Sequence, residues 1–219
     1  MLIGIAGMVG SGKSTLTRAL AARFGLEHAL ESVDDENPWL EQFYAGGEEA
    51  MRRYALPLQL HFLATRFASM RRMRSAGGSW ILDRTWYEDA EIFARGHFED
   101  GLITAAEWEL YRRLYVELLH SPVARPPRLL VYLDAPLETI IARIRTRGRP
   151  KEKDTPEAYW VTLHARYERW LSDFRACPVL RLDVRGYDLV TDPRAIEDIA
   201  ARVRQKLEPE IPQTELALV

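Results

Sequence analysis

Gly7-Met8-Val9-Gly10-Ser11-Gly12-Lys13-Ser14 fills every fixed position of a Gly-x-x-x-x-Gly-Lys-Ser segment, directly after the apolar run Leu2-Ile3-Gly4-Ile5-Ala6 and directly before a helix-like stretch, Ser14 to Phe24. Strand, glycine turn and helix in that order make a P-loop. The glycines let the backbone curl so that successive N–H groups converge on phosphate oxygens at a helix N-terminus. Gly7, Met8, Val9, Gly10, Ser11 and Gly12 form that cradle, with Thr15 in the first helical turn behind it. Lys13 can neutralise β- and γ-phosphates, and the Ser14 hydroxyl can ligate a metal ion. The expectation is therefore a nucleoside triphosphate bound with Mg²⁺.

Short apolar runs recur along the chain, at Leu2–Ala6, His28–Glu31, Trp80–Asp83, Leu129–Asp134 and Val179–Val184, with helical patterns between them. That alternation predicts an α/β fold, a parallel sheet flanked by helices. Leu16, Leu20 and Phe24 fall at i, i+4, i+8 and should face the sheet, with Gly25 stopping the helix. Glu48 to Ser75 reads as a long helix kinked or broken at Pro57, where the ring removes a backbone donor. Thr104 with Glu107 three residues on forms a capping box for a helix to His120. Another helix is expected from about Pro156 to Arg175, its stripe of Trp160, Leu163, Tyr167, Trp170 and Leu171 reading as core. Residues 1–208 are expected to form one domain, followed by a loosely held tail over 209–219.

The 30 basic and 32 acidic residues leave a net charge of −2. This argues against an electrostatically driven nucleic-acid or membrane binder. No apolar run approaches a membrane span and no targeting pattern is read, so the expectation is a soluble, cytoplasmic protein. The single cysteine, Cys177, excludes an internal disulfide, and the five histidines fall at no metal-ligand spacing.

A P-loop alone does not separate a kinase from a switch. Trp80-Ile81-Leu82-Asp83-Arg84 is an apolar strand ending in an acid and a base. Beside a P-loop strand, Asp83 could hold Mg²⁺ and Arg84 could lie next to the transferring phosphate; taken alone, Asp83 could equally be a helix N-cap. Asp134-Ala135-Pro136 reads as a cap before a proline-started helix. Arg143, Arg145, Arg147, Arg149, Lys151 and Lys153 form a basic run where a helix gives way to Gly148 and Pro150. Arg143, Arg147 and Arg149 would suit an Arg-rich lid at about 143–155, closing over the γ-phosphate and excluding water. As an isolated feature, such a run is also what a solvated helix end looks like. Arg66 lies seven residues, two helical turns, after Gln59 and so on the same side.

These residues together resemble the bacterial deoxyribonucleoside kinases, and among them the deoxyadenosine/deoxycytidine kinases. The similarity rests on the P-loop, Glu31-Ser32-Val33, Asn37-Pro38-Trp39 through Tyr44, Leu58 to Leu63 with Arg66, Asp83-Arg84-Thr85-Trp86-Tyr87-Glu88-Asp89 with Ile92-Phe93-Ala94, the run from Arg143 to Arg149, and Tyr159 to Trp170. Thr85 departs from the usual serine, and the stretch from Val33 to Asn37 is one residue longer than the family pattern.

The resemblance implies a P-loop kinase fold with five parallel strands, Mg²⁺, ATP or another NTP as donor, a small deoxynucleoside as acceptor, and a homodimer formed through long helices. It makes Glu31 the general base for the sugar 5′-hydroxyl, and Lys13 and Arg84 its catalytic partners. Gln59 would pair with the base edge, completed by Arg66 and Asp89, with Phe93 stacking on the base. Tyr44 and Glu152 would hold the 3′-hydroxyl. Deoxyadenosine is the expected acceptor, deoxycytidine next. The alternatives are a deoxyguanosine-preferring kinase and, in a different class, a P-loop NTPase switch acting on a macromolecular partner.

Overall fold

A computed structural model of the chain describes residues 1–30, 37–148 and 155–208. Five strands form one parallel sheet: β1 (Leu2–Gly7), β2 (Glu27–Ala29), β3 (Trp80–Asp83), β4 (Leu129–Asp134) and β5 (Val179–Asp183), in the order β2-β3-β1-β4-β5. The near-continuous apolar runs follow from burial on both faces. Ile3, Ile5, Ile81, Leu130 and Val131 have no exposed surface, and each such side chain contributes roughly 1.5–3 kcal/mol by leaving water. Because β1 pairs with β3 on one side and β4 on the other, Ile5 stands level with both Asp83 and Val131. The chain therefore reverses its direction of winding beside β1, and the crevice beyond the strand ends opens there.

Helix α1 (Lys13–Phe24) starts inside the glycine turn and buries Leu16 and Leu20. Gly25 ends it at φ 64°, its N–H donating to the Ala21 carbonyl. In α2 (Pro38–Ala45), Asn37 caps by accepting from the Trp39 N–H, and Pro38 sits where a missing donor costs nothing. Leu40 and Phe43 of this helix pack with Ala55 and Leu58 of α3 (Gly47–Ala76) and with Ile103 in a small cluster apart from the main core.

The expected break at Pro57 does not occur, since α3 runs through it without interruption. One lost ladder bond is outweighed by the flanks, where Ala55, Leu58 and Gln59 are all buried. After β3 the chain forms one continuous helical stretch of three parts: α4 (Trp86–Glu88), a π-helical turn over Asp89–Ala94, and α5 (Arg95–Glu99). Helix α6 (Ala105–His120) carries the Thr104–Glu107 capping box, both reciprocal bonds formed. Helices α7 (Leu137–Arg147), α8 (Glu157–Asp173) and α9 (Pro193–Leu207) complete the layers.

Two boundaries and one cap differ from expectation. Strand β2 begins at Glu27 rather than His28, and Val184 leaves β5 for a short 3₁₀ turn. Asp134 does not cap α7: Pro136 occupies the cap position without a side-chain bond, and Asp134 instead accepts from Arg181 Nε at 2.7 Å. The partly exposed arginine beside it on β5 offers a charged donor that outcompetes a backbone N–H. Among the described residues no helix is long and apolar enough to cross a membrane.

Candidate active site

The turn after β1 is built from backbone conformations that side chains resist. Gly7, Gly10 and Gly12 hold φ values of 141°, 81° and 102°, and a β-carbon on Gly7 would lie 2.8 Å from the Leu133 carbonyl oxygen. Lys13 is buried, its Nζ donating to the Met8 carbonyl at 3.0 Å, so the ammonium is folded into the loop it belongs to. Ser14 Oγ donates to Asp83 Oδ2 at 2.5 Å, which joins the start of α1 to the end of β3. Asp83 is 2% exposed, and its Oδ1 is buried with no hydrogen-bond partner among the described residues. A hydroxyl and a carboxylate with an unanswered oxygen form a hard donor set that fits Mg²⁺. Among the described residues no group of three His, Cys, Asp or Glu converges as an all-protein metal cage, and Mg²⁺ with its retained waters and phosphate ligands does not need one.

Arg84, next along, adopts φ 71°, a left-handed conformation that costs a non-glycine residue on the order of 1–3 kcal/mol and gathers at functional sites. Its N–H donates to the Ile5 carbonyl, its Nη1 donates to the Tyr167 hydroxyl at 2.8 Å, and its guanidinium lies 4.6 Å from the Phe93 ring centroid. The expected stacking ring therefore carries a cation over its face.

Glu88, four residues on, has no exposed surface. Its Oε1 accepts from the Gly7 N–H at 3.3 Å and the Tyr167 hydroxyl at 3.1 Å, and its Oε2 from the Thr85 N–H at 2.9 Å and the Thr85 hydroxyl at 3.4 Å. Burial pushes its carboxyl above the usual range, opposed by the nearby charges of Arg84 and Lys13. A β-carbon on Gly4 would come within 2.6 Å of Thr85 Cγ2, so this corner lies tight against β1.

On the far side of the crevice, α3 presents Arg66 toward the π-helical turn and, two turns earlier, Gln59 toward α5. Arg66 Nε and Nη2 donate to Asp89 Oδ2 and Oδ1 at 2.8 and 3.3 Å, a two-pronged pair with little solvent on either partner. Gln59 is 2% exposed, with its Nε2 lying 3.5 Å from His97 Nδ1 and its Oε1 buried without a partner among the described residues. Burial lowers the His97 pKa to about 4, which keeps that ring neutral. Phe43 stacks on it with centroids 5.0 Å apart. Tyr44, at the end of α2, is 49% exposed and meets Phe43 edge-on.

Arg143 donates to the carbonyls of Ser11 and Val184 at 3.3 and 3.4 Å, fastening α7 to the glycine turn. Arg145 pairs with Glu157 on the surface, and Arg147 lies in the last turn, before Gly148 at φ 65°. Glu31, Arg149, Glu152 and the 209–219 tail lie outside the described residues. Of the expected site residues within them, the P-loop, Asp83, Arg84, Phe93 and Arg143 stand around one corner, and Gln59, Arg66 and Asp89 around the other.

Glu88, Tyr167 and His97 were not singled out by sequence. Thr85-x-x-Glu88 has capping-box spacing, the one legible signal. Tyr167 is hidden within an apolar stripe and His97 among dispersed histidines.

The family model described as deoxynucleoside kinase matches residues 3–208. The deoxyadenosine/deoxycytidine kinase of Bacillus subtilis (strain 168) is 43% identical over 202 residues, covering 92% of this chain and 91% of its own. A deoxyguanosine kinase of Lactobacillus acidophilus is 34% identical, with 94% and 90% covered. Among solved structures, deoxyadenosine kinase from M. mycoides with bound dATP superposes with a TM-score of 0.75 at 27% identity, covering 93% of this chain and 100% of that one. Likeness of this extent, spanning the sheet, the glycine turn and both flanks of the crevice, places the chain in the deoxynucleoside kinase family.

Proposed function

We propose that this kinase transfers the γ-phosphate of ATP to the 5′-hydroxyl of a deoxyribonucleoside, deoxyadenosine first and deoxycytidine next, in nucleotide salvage. The observation that carries the base preference is the Oε1 of Gln59, buried and without a partner among the described residues. An acceptor in that position is matched by an exocyclic amine, the N6 of adenine or N4 of cytosine, and faces a carbonyl oxygen in an oxo base unfavourably. Leaving it unanswered costs roughly 1–3 kcal/mol, enough to separate the two classes of base by about 5- to 150-fold. Asp89 also offers only acceptors while Arg66 occupies it.

Glu31 would take the proton from the attacking hydroxyl. Lys13 and Arg84 would offset the negative charge moving across the transferring phosphate, and Tyr44 and Glu152 would hold the sugar. Ser14 and Asp83 would hold Mg²⁺, which supplies positive charge to the β- and γ-oxygens when bound. Arg147 and Arg149 would close with α7 while Arg143 keeps its root on the P-loop. Phe93, with Arg84 on one face, would offer its other face or its edge to the base. The enzyme would act as a single-domain cytoplasmic protein, two copies associating through long helices.

A deoxyguanosine preference is the second reading, favoured by the two-pronged Arg66: turned away from Asp89, it could donate to the guanine oxygen. Steady-state kcat/KM for the four deoxynucleosides tests both. The expected order has deoxyadenosine leading and deoxycytidine second; deoxyguanosine in first place selects the second reading, and thymidine in first place removes both.

A further inference from the structure

Glu88 stands where the donor side and the acceptor side of the crevice meet. A carboxylate with no exposed surface persists only when its lone pairs are answered. Here the answers come from three different parts of the chain: Gly7, which opens the glycine turn; Thr85, which follows Arg84; and Tyr167 on α8. The Tyr167 hydroxyl has one proton, which it gives to Glu88, and with a lone pair it accepts from Arg84 Nη1 at 2.8 Å. The Arg84 guanidinium is thus held by an oxygen that Glu88 itself orients, and its Nη1 also lies 3.9 Å from Glu88 Oε1. The backbone is held from the same point, since the Thr85 N–H bond to Glu88 closes the turn just after the left-handed Arg84. An apolar side chain of this size could fill the space, but it could not join these parts.

We propose that Glu88 is a positioning residue: with Tyr167 as intermediary, it fixes the Arg84 guanidinium at a set distance from the glycine that begins the phosphate cradle. This rests on the phosphoryl-transfer reading above. Such transfer is carried by alignment, and a misplacement on the order of 1 Å can cost about 100-fold.

Glu88→Gln keeps the size but turns one oxygen into an amide nitrogen, which meets a donor whichever way it is rotated. Tyr167→Phe removes only the bridging hydroxyl. Glu88→Gln should lower kcat on the order of 10–100-fold and Tyr167→Phe about 5–20-fold, with Kd for ATP and deoxyadenosine held within about 3-fold. In an Arg84→Ala background, Glu88→Gln should cost less than about 2-fold more, because the group it acts through is gone. A loss undiminished in that background, falls in binding that match the falls in kcat, or wild-type kcat in Tyr167→Phe would overturn the proposal. If Glu88→Gln does not fold, Tyr167→Phe carries the test in both backgrounds. Lys13→Ala measured alongside keeps the two readings apart: wild-type turnover there sinks transfer through the P-loop itself, whereas an inactive Lys13→Ala with unimpaired Tyr167→Phe sinks only the positioning role.

Discussion

His97 is neutral because its ring is enclosed by Phe43 and Gln59, and this makes stability depend on pH in a defined direction. Its pKa is about 4 in the folded chain against an ordinary 6.5, so between those values the unfolded chain binds the extra proton. The contribution is present in full above about 6.5 and is lost as pH falls toward 4. The thermal midpoint should therefore drop across that interval, and less steeply in His97→Gln, as calorimetry at stepped pH would reveal. Equal slopes would mean that the ring is not kept neutral by folding. Glu31→Gln keeps size and polarity but cannot accept the hydroxyl proton, so kcat should fall on the order of 10²–10⁴ while nucleoside Kd changes far less. A collapse in Kd with kcat intact would make Glu31 a binding residue. Gln59, Arg66 and Asp89 were accessible through resemblance, because their spacing repeats a family pattern. His97 was not, since its meaning arises only when α5 packs beside α3 and brings a ring nitrogen to an amide far away in sequence.

At the scale of elements, periodicity and end signals carried most of the information. The Thr104–Glu107 box and the Gly25 stop are local chemistry and appear as written. The helix is not broken at Pro57 because the cost of a proline is local, while what offsets it, burial on either side, is tertiary. The π-helical turn over Asp89–Ala94 left no trace in the apolar pattern, yet it carries both Asp89 and Phe93 to the crevice. Arg143 ties helix α7 to the carbonyls of Ser11 and Val184. Arg147→Ala, nearer its tip, should lower kcat more than it raises nucleoside KM, because a lid guanidinium acts as charge moves across the phosphate. Unchanged kinetics would return Arg147 to the role of a solvated helix end.

For the molecule as a whole, composition and alternation announced a parallel sheet, but not that β1 would sit between β3 and β4. Strand order depends on long-range pairing that no window of sequence contains. Helix α6 exposes two leucines one turn apart on the same face, Leu110 at 59% and Leu114. If two copies join through long helices, wild-type chain should sediment as a dimer, and Leu110→Glu with Leu114→Glu should shift it toward monomer. A wild-type monomer at micromolar concentration would discard that assembly. The central place of β1 also has a consequence on the ribosome. The first strand to be made is the one whose two neighbours come late, β3 ending at Asp83 and β4 at Asp134. At about 5–20 residues per second, roughly 6–25 s of synthesis separate Gly7 from Asp134. Until β3 is complete Ile3 and Ile5 have neither neighbouring strand, and for the rest of that interval the β4 side of β1 stays open, an unpaired edge of the kind that other strands add to.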